Sequence, residues 1–357
     1  MMKWKKRAHL TDEQKISAYK EEINTLEKVD YSPLYSQDVA YHNYGYIHTF
    51  RVISDGLRLA NMKQFMAGVL AGIWIGLVYV AVSYATFSIT NASISKILTG
   101  AIFGSVILLI SFLGGGFVTA HMWYNRTMFK KVERWSIFLK ACGLVYAGNI
   151  IGIMIFTIIF QLSGALDHTS MIKLVDGVEV KWTLGNHIYE SFGAAKLYEV
   201  GSAIKNGEAL TASEVFKTIG YVFASAVLCN FLICLATQGS KSAKGNTVAA
   251  MIMYFLVLFY FAIGGYQHCV ANWFGAWMLI LRAISDPTTQ HANMAWAFIA
   301  FNIIPAILGN FVGALIIGTF MGLFNKEFDT LLVKEARMKF LAEEIERIES
   351  KKMKVKK

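Results

Sequence analysis

One histidine stands where histidines are costly. His268 lies in Gly264-Gly265-Tyr266-Gln267-His268-Cys269-Val270-Ala271-Asn272-Trp273, and residues 245–281 carry no Lys, Arg, Asp or Glu. A bilayer core takes about 20 helical residues to cross, so this run is longer than one straight crossing needs. A polar, glycine-broken patch at membrane depth is tolerated only where it is buried in protein or lines a cavity. An ionisable group there is a functional candidate by default. An imidazole can donate or accept a hydrogen bond, or relay a proton. Gln267 and Asn272 add hydrogen bonds without charge. Asn230, in Leu228-Cys229-Asn230-Phe231-Leu232-Ile233-Cys234-Leu235-Ala236, must also find a partner; a pore-facing role and a structural one are both open for it.

Most enzyme chemistries have no residues to carry them. There is no phosphate-binding glycine loop, no paired carboxylate, no His-Glu-x-x-His and no placeable Ser-His-Asp set. Cys142, Cys229, Cys234 and Cys269 all fall in apolar runs without metal-ligand spacing and read as small buried hydrophobes. No cofactor, metal or enzymatic activity is expected. Within the apolar runs, hardly any group other than His268 and His121 can ionise. Moving a bare carboxylate-sized anion into such surroundings costs on the order of 20 kcal/mol in the idealised limit. A conduit for anions must therefore pair the anion with a positive group or pass it protonated.

The elements that position these residues are membrane helices. Apolar residues make up 55% of the 357-residue chain, far above a soluble domain. Six runs are readable, near residues 64–89, from after Lys96 to a break at Gly114-Gly115-Gly116, then 135–162, 218–238, 245–281 and 296–324. Three consecutive glycines end a helix, since each costs about 1 kcal/mol relative to Ala; a second half-helix is expected near residues 120–124. The first run has Ala67-Gly68, Ala71-Gly72 and Gly76 at helical spacing, which suits close helix packing. The third has Gly148-Asn149-Ile150-Ile151-Gly152 and the sixth Gly309-Asn310-Phe311-Val312-Gly313. Each of these follows a glycine-broken segment. Two copies of a three-helix unit, the second inverted, follow from this. For Asn149 and Asn310 an interhelical hydrogen bond is the preferred role.

Basic residues concentrate in alternate connections. They include Lys3, Lys5, Lys6 and Arg7, then Arg126, Lys130, Lys131 and Arg134, then Lys241 and Lys244, then the tail after Lys326. The other connections are poorer or balanced by acids such as Asp176, Glu179 and Glu190. The positive-inside rule puts both termini in the cytoplasm, of a protein expected in the plasma membrane. This accounts for the net charge of +10 without nucleic acid as a partner. Three parts are expected: a cytoplasmic tail over 1–63, a six-helix membrane domain over 64–325 and a basic helical tail over 326–357. Thr11 and Gln14 read as a capping box. Phe328, Leu331, Leu332, Met338, Phe340, Leu341 and Ile345 form an apolar stripe that could meet lipid headgroups or lie solvated.

The stretch around His268 resembles the fifth-helix signature of the formate–nitrite transporter family, G-[FY]-x-H-x-x-A-N-x-[FG]. The Leu228–Ala236 block, the two G-N-x-x-G motifs and Asn302-x-x-Pro305 resemble the same family in order. The resemblance covers about residues 61–325. Phe117-Val118-Thr119 matches a leucine–phenylalanine–threonine triplet in the family's broken second helix. Two departures are Gly116 and Gln267, where the family has acids.

The resemblance implies an all-α integral membrane protein: six transmembrane helices in two inverted three-helix repeats, the second and fifth broken, aquaporin-like. It implies a homopentamer with one pore per protomer, embedded in membrane lipid and passing a small anionic substrate: formate, nitrite, hydrosulfide or a short-chain carboxylate. Phe261 and Ile107 would form one constriction, and Phe117, Val118 and Ile233 the other. Thr119 would orient His268, and Asn230 would be a polar partner near the path. A lysine would draw in the anion from outside; Glu214 occupies the family spacing, so Lys205 and Lys217 remain, with Lys205 favoured on local context. With no carboxylate close to His268 in sequence, a neutral imidazole and transit of a protonated acid are expected. Two other readings remain open, a neutral-solute channel of the water or glycerol type and a non-transporting membrane scaffold or signalling protein.

Overall fold

The computed structural model describes residues 10–175 and 177–355. The basic cluster Lys3, Lys5, Lys6 and Arg7, together with Asp176 and the last two lysines, lies outside them. The chain begins with α1 (Asp12–Leu26) and α2 (Tyr41–Gly56). The membrane bundle follows as α3 (Asn61–Thr86), α4 (Ala92–Phe103), α5 (Val106–Leu113), the short α6 (Val118–Met122) and α7 (Asn125–Phe129), and α8 (Trp135–Leu162). A folded connection comes next: α9 (Ala165–His168), strands β1 (Ser170–Val175) and β2 (Val178–Thr183), α10 (Leu184–Ile188), one wide and one tight turn, and α11 (Tyr198–Asn206). The second half holds α12 (Ala212–Lys241), α13 (Thr247–Gly264), α14 (Asn272–Ser285), α15 (Thr289–Phe298) and α16 (Ile304–Phe324), and the chain closes with α17 (Lys326–Val355).

Among the described residues, six helical spans are long and apolar enough to cross a membrane: 61–86, 92–113, 135–162, 212–241, 247–264 and 289–324. A 26-residue helix such as α3 reaches about 39 Å at 1.5 Å per residue, enough for the hydrocarbon core with margin. Local sequence marks where the helices start. Asn91 caps α4, Asn246 caps α13, and Thr211 with Glu214 closes a capping box at α12. Glu214, at the spacing where a lysine was sought, is thus spent on a helix start.

Two helix pairs carry the bundle, α3 with α8 and α12 with α16. Glycines let their backbones touch. A Cβ on Gly68 would stand 2.3 Å from the Val145 carbonyl, and one on Gly309 would stand 2.4 Å from that of Phe223. The close approach that the small-residue spacing of the first run predicts is therefore present at α3, and α12 with α16 shows it as well. With three crossings in each set, the second set runs opposite to the first, consistent with an inverted repeat.

Both breaks fall where the glycines are. Gly115 has φ +145°, and a Cβ on it would stand 3.3 Å from Ala71, so a side chain there is both strained and crowded. Gly265 ends α13 at φ +64°. The half-helix after the first break starts at Val118, slightly earlier than expected. One feature departs from an all-helical reading: β1 and β2 form an antiparallel hairpin in the connection between the halves.

On the face that carries both termini, α1 lies along α17. Tyr19 packs with Phe340, Leu341, Ile345 and Ile348. The predicted capping box at Thr11 is formed. The apolar stripe of α17 is largely spent inside the protein, since Leu332, Phe340, Leu341 and Ile345 are buried. Ion pairs fasten α17 to the bundle: Asp329 to Arg126 and Lys130, Glu343 to Arg58, and Glu344 to Arg134.

Candidate functional site

The residues between the two half-helices of the fifth crossing have no helical partners for their backbone groups, so side chains must supply them. Asn310, from the G-N-x-x-G of α16, does this. Its Oδ1 accepts from Cys269 N at 2.8 Å, and its Nδ2 donates to the carbonyls of Gln267 (3.2 Å) and Ala226 (2.7 Å). Asn149, from the G-N-x-x-G of α8, does the same at the first break. Its Oδ1 accepts from Val118 N at 3.3 Å, and its Nδ2 donates to the carbonyls of Gly116 and Gly68, both at 2.9 Å. In each case one amide holds the loop residues at n and n+2 and a carbonyl of the partner helix. The residue left between the clamp points is Phe117 in the first break and His268 in the second.

The His268 ring is buried and fixed at both nitrogens. Nδ1 faces the backbone N–H groups of Val270 (3.3 Å) and Ala271 (3.0 Å). These can only donate, so Nδ1 accepts and the neutral ring carries its hydrogen on Nε2. Nε2 lies 3.1 Å from Thr119 Oγ1 and donates to it. Phe117 and Phe261 flank the imidazole edge-on, with ring centroids at 5.7 and 5.9 Å. Phe103 backs Phe261 at 5.7 Å. The site thus holds one N–H donor, paired with Thr119 Oγ1, between two aromatic walls.

The remaining predicted residues fall as follows. Val118 and Ile233 are buried in the same core cluster as Phe117, and Ile107 is half-buried against it, on α5 beside α13. Asn230 is fully buried and donates to the carbonyls of Asn310 (2.8 Å) and Thr119 (3.3 Å). Gln267 and Asn272 join a chain of amides. Asn272 Nδ2 donates to Gln267 Oε1 (2.8 Å) and Asn302 Oδ1 (2.6 Å), and Gln267 Nε2 donates to Tyr198 OH at 3.2 Å.

The two expected lysines lie on the surface. Lys205 is exposed and paired with Glu190 at 2.7 Å, and Lys217 is exposed on the first turns of α12. Another lysine, Lys196, meets the amides next to His268 in sequence: its Nζ donates to Asn272 Oδ1 at 3.1 Å. The connection between the halves folds back into the bundle through a wide turn at Tyr189–Gly193 and a tight one at Ala194–Leu197. Tyr198 follows at φ +49°, a backbone state that non-glycine residues seldom occupy. Counting residues back from Asn230 along a straight helix cannot find a side chain delivered by such a loop. Asn302 and Tyr198 were likewise outside the predicted set. Among the described residues no group of His, Cys, Asp and Glu could hold a metal ion.

A family model described as Formate/nitrite transporter matches residues 49–324. Formate channel FocA of Haemophilus influenzae is 26% identical over 289 residues, covering 74% of this chain and 87% of its own. Nitrite transporter NirC of Salmonella typhimurium is 26% identical over 259 residues, 72% of this chain and 80% of its own. A solved pentameric formate channel with formate bound is 24% identical and superposes with a TM-score of 0.56, covering 74% of this chain and 96% of that one. An ion channel of the same family superposes with a TM-score of 0.59 at 17% identity, covering 79% of this chain and 98% of that one.

Proposed function

The chain belongs to the formate/nitrite transporter family, multi-pass membrane transporters and not enzymes, and we propose that it passes small monovalent weak-acid anions through a pore centred on His268. Formate, nitrite, hydrosulfide and short-chain carboxylates are the candidate substrates. The observation that carries this reading is the fixed Nε2–H of His268 between Phe117 and Phe261. Aromatic walls exclude hydrated ions. A single neutral donor, exchanged from Thr119 Oγ1 to the substrate, suits a small oxygen or sulfur acceptor but cannot balance a full negative charge. The substrate therefore crosses the constriction as the protonated acid, with Thr119 holding the imidazole in place. The proton comes from water on the entry side.

Several wider features belong to the same reading. The protein is a homopentamer with one pore per protomer, as the pentameric relative supports. It sits in the plasma membrane with the α1, α2 and α17 face in the cytoplasm, which the Lys and Arg distribution supports. Residues 1–63 and 326–357 are the cytoplasmic tails of the 64–325 membrane domain.

The test is uptake into proteoliposomes of formate, nitrite, hydrosulfide and glycerol across external pH. Weak-acid uptake that rises as pH falls, and is lost in His268→Phe with assembly intact, is the expected result. Formate uptake undiminished in His268→Phe would remove the histidine from the mechanism. Glycerol flux without pH dependence would make the protein a neutral-solute channel, and no flux at all would favour a scaffold.

A further inference from the structure

Two histidines meet Phe117, one at its ring and one at its carbonyl, and their own rings are wired in opposite senses. At His268 the backbone N–H groups of Val270 and Ala271 occupy Nδ1, so the neutral ring carries its hydrogen on Nε2. At His121, on the half-helix α6, Nδ1 lies 3.2 Å from the Phe117 carbonyl. A carbonyl only accepts, so this Nδ1 donates and the neutral ring keeps its lone pair on Nε2. His268 is therefore fixed as a donor and His121 as an acceptor.

His121 sits one helical turn beyond Phe117, on the way to α7 and the face that carries the termini. Its Nε2 faces the end of α2, where a Cβ on Gly56 would stand 3.7 Å away. That end is pinned by the buried Gln64 of α3, which donates to the carbonyls of Leu57 (3.0 Å) and Leu59 (2.9 Å). Glycine leaves the space before the lone pair open. Both His121 and Gly56 are half-buried, so water reaches the ring from the termini face. On the elements packed against α6 and on α7 beside it, the groups that are charged or titrate near neutral pH on this side are His48, Arg51 and Asp55 of α2, Arg126 of α7, Lys140 of α8 and Lys241 of α12; α16 has none. Among the described residues none of them bonds to His121, and Nε2 has no donor.

Resting on the transport reading above, we propose that His121 Nε2 is the base that takes the proton from the neutral acid once it has passed Phe117 from the His268 side. The O–H bond of the acid breaks with its electron pair left on the anion, and an N–H bond forms at Nε2. The imidazolium then gives the proton to water on the termini face and the ring is neutral again. A carboxyl group with an ordinary pKa of about 4 is a stronger acid than an imidazolium at about 6.5, so the transfer runs downhill. It also makes passage one-way for that molecule, because the bare anion cannot return between apolar walls. For transit in the other direction the same step reverses, and the imidazolium protonates the entering anion.

The test is equilibrium exchange of labelled formate in proteoliposomes of the full chain, with equal pH and formate inside and out, from about pH 5 to about pH 8. The rate, less that of protein-free vesicles, is divided by the concentration of neutral formic acid. Only the neutral imidazole takes a proton, so the wild-type quotient should rise severalfold with pH and level off above the histidine range. His121→Asn keeps a donor for the Phe117 carbonyl but has no base, and its quotient should be flat, about tenfold or more below the wild-type plateau. His121→Gln serves if the Asn variant does not assemble. His42→Asn, at an exposed position on the same face, should keep the wild-type profile. In nitrogen-15 NMR of histidine-labelled protein in liposomes, the signal missing from the His121 variant should be an Nδ1–H ring that titrates at the midpoint of the flux step. Exchange with a flat wild-type quotient, a step that survives in the His121 variants, or an Nε2–H ring at His121 would overturn the base while leaving transport standing. No formate exchange at all by wild type would overturn the transport reading and the base with it.

Discussion

The two breaks are built by the same device and differ in what the device presents. At each, an asparagine from a G-N-x-x-G helix binds one loop N–H, one loop carbonyl and one carbonyl of the paired helix. The first break shows Phe117 between its clamp points and is surrounded by apolar side chains. The second shows His268, flanked by the amides of Gln267, Asn272 and Asn302 and by Lys196. The first break supplies one wall, Phe117, and the hydroxyl of Thr119; the second half supplies the polar chemistry and the other wall, Phe261. A shared scaffold has been kept and the side chain at its centre changed, which separates residues needed for the fold from residues needed for transport.

That separation is sharpest for the asparagines. Replacing Asn310 by Ala orphans the Cys269 N–H and the carbonyls of Gln267 and Ala226, and replacing Asn149 by Ala orphans the equivalent three groups. At about 1–3 kcal/mol for each buried unpaired group, both variants should lose most of their stability, seen as a collapse of thermal unfolding temperature or of the oligomer peak in size exclusion. If one asparagine proves dispensable, the two clamps are not equivalent. Next in size is the pair His268→Leu and Phe117→Leu. Both shorten a ring at corresponding positions, but only the first removes a hydrogen bond. Formate flux should fall to background in His268→Leu and change only severalfold in Phe117→Leu; equal losses would mean that the rings act only as walls. Thr119→Val keeps the shape and removes the acceptor of Nε2–H. One neutral hydrogen bond is worth about 1 kcal/mol, so flux should drop roughly fivefold. An unchanged rate would show that Thr119 does not set the ring.

Much of this contrast is legible in the sequence, because membrane helices constrain it so tightly. Charge-free runs, glycine breaks and repeated G-N-x-x-G motifs are tightly constrained in lipid, and the interhelical hydrogen bond preferred for Asn149 and Asn310 follows from them, while their hold on the loop backbone does not. What stays hidden is carried by the connection between the halves. Lys196 reaches the site through consecutive turns of different pitch and the left-handed residue Tyr198, and no residue count along a helix reproduces that path. Lys205 and Lys217 look better placed in sequence and end exposed. Asn230 shows the opposite limit: its burial is readable, but whether it faces a pore or a backbone carbonyl depends on the loop that meets it.

A third clamp lies outside the membrane spans, and it is charged where the other two are neutral. Asp329 of α17 meets Arg126, Lys130 at 2.8 Å and the Tyr46 hydroxyl at 2.7 Å. Burial by itself would raise the Asp329 pKa, but the hydrogen bonds and charges of Arg126, with those of Lys130 and Tyr46, outweigh it and hold the carboxyl below its usual range. A carboxyl lowered in the folded state contributes stability that is fully present above its unfolded pKa and is lost as pH falls through the folded one. At neutral pH the clamp is therefore closed, and it opens only below about pH 4. The asparagine clamps contain no titratable group and should not respond. Hydrogen exchange corrected for intrinsic rates should show the amides of α17 loosening in acid while those of Gly116–Val118 and Gln267–Cys269 stay protected. Asp329→Asn should reproduce the loosening at neutral pH, with a severalfold gain in α17 exchange. If the breaks loosen together with α17, the tail and the pore are one cooperative unit and the distinction between neutral and charged clamps has no mechanical meaning.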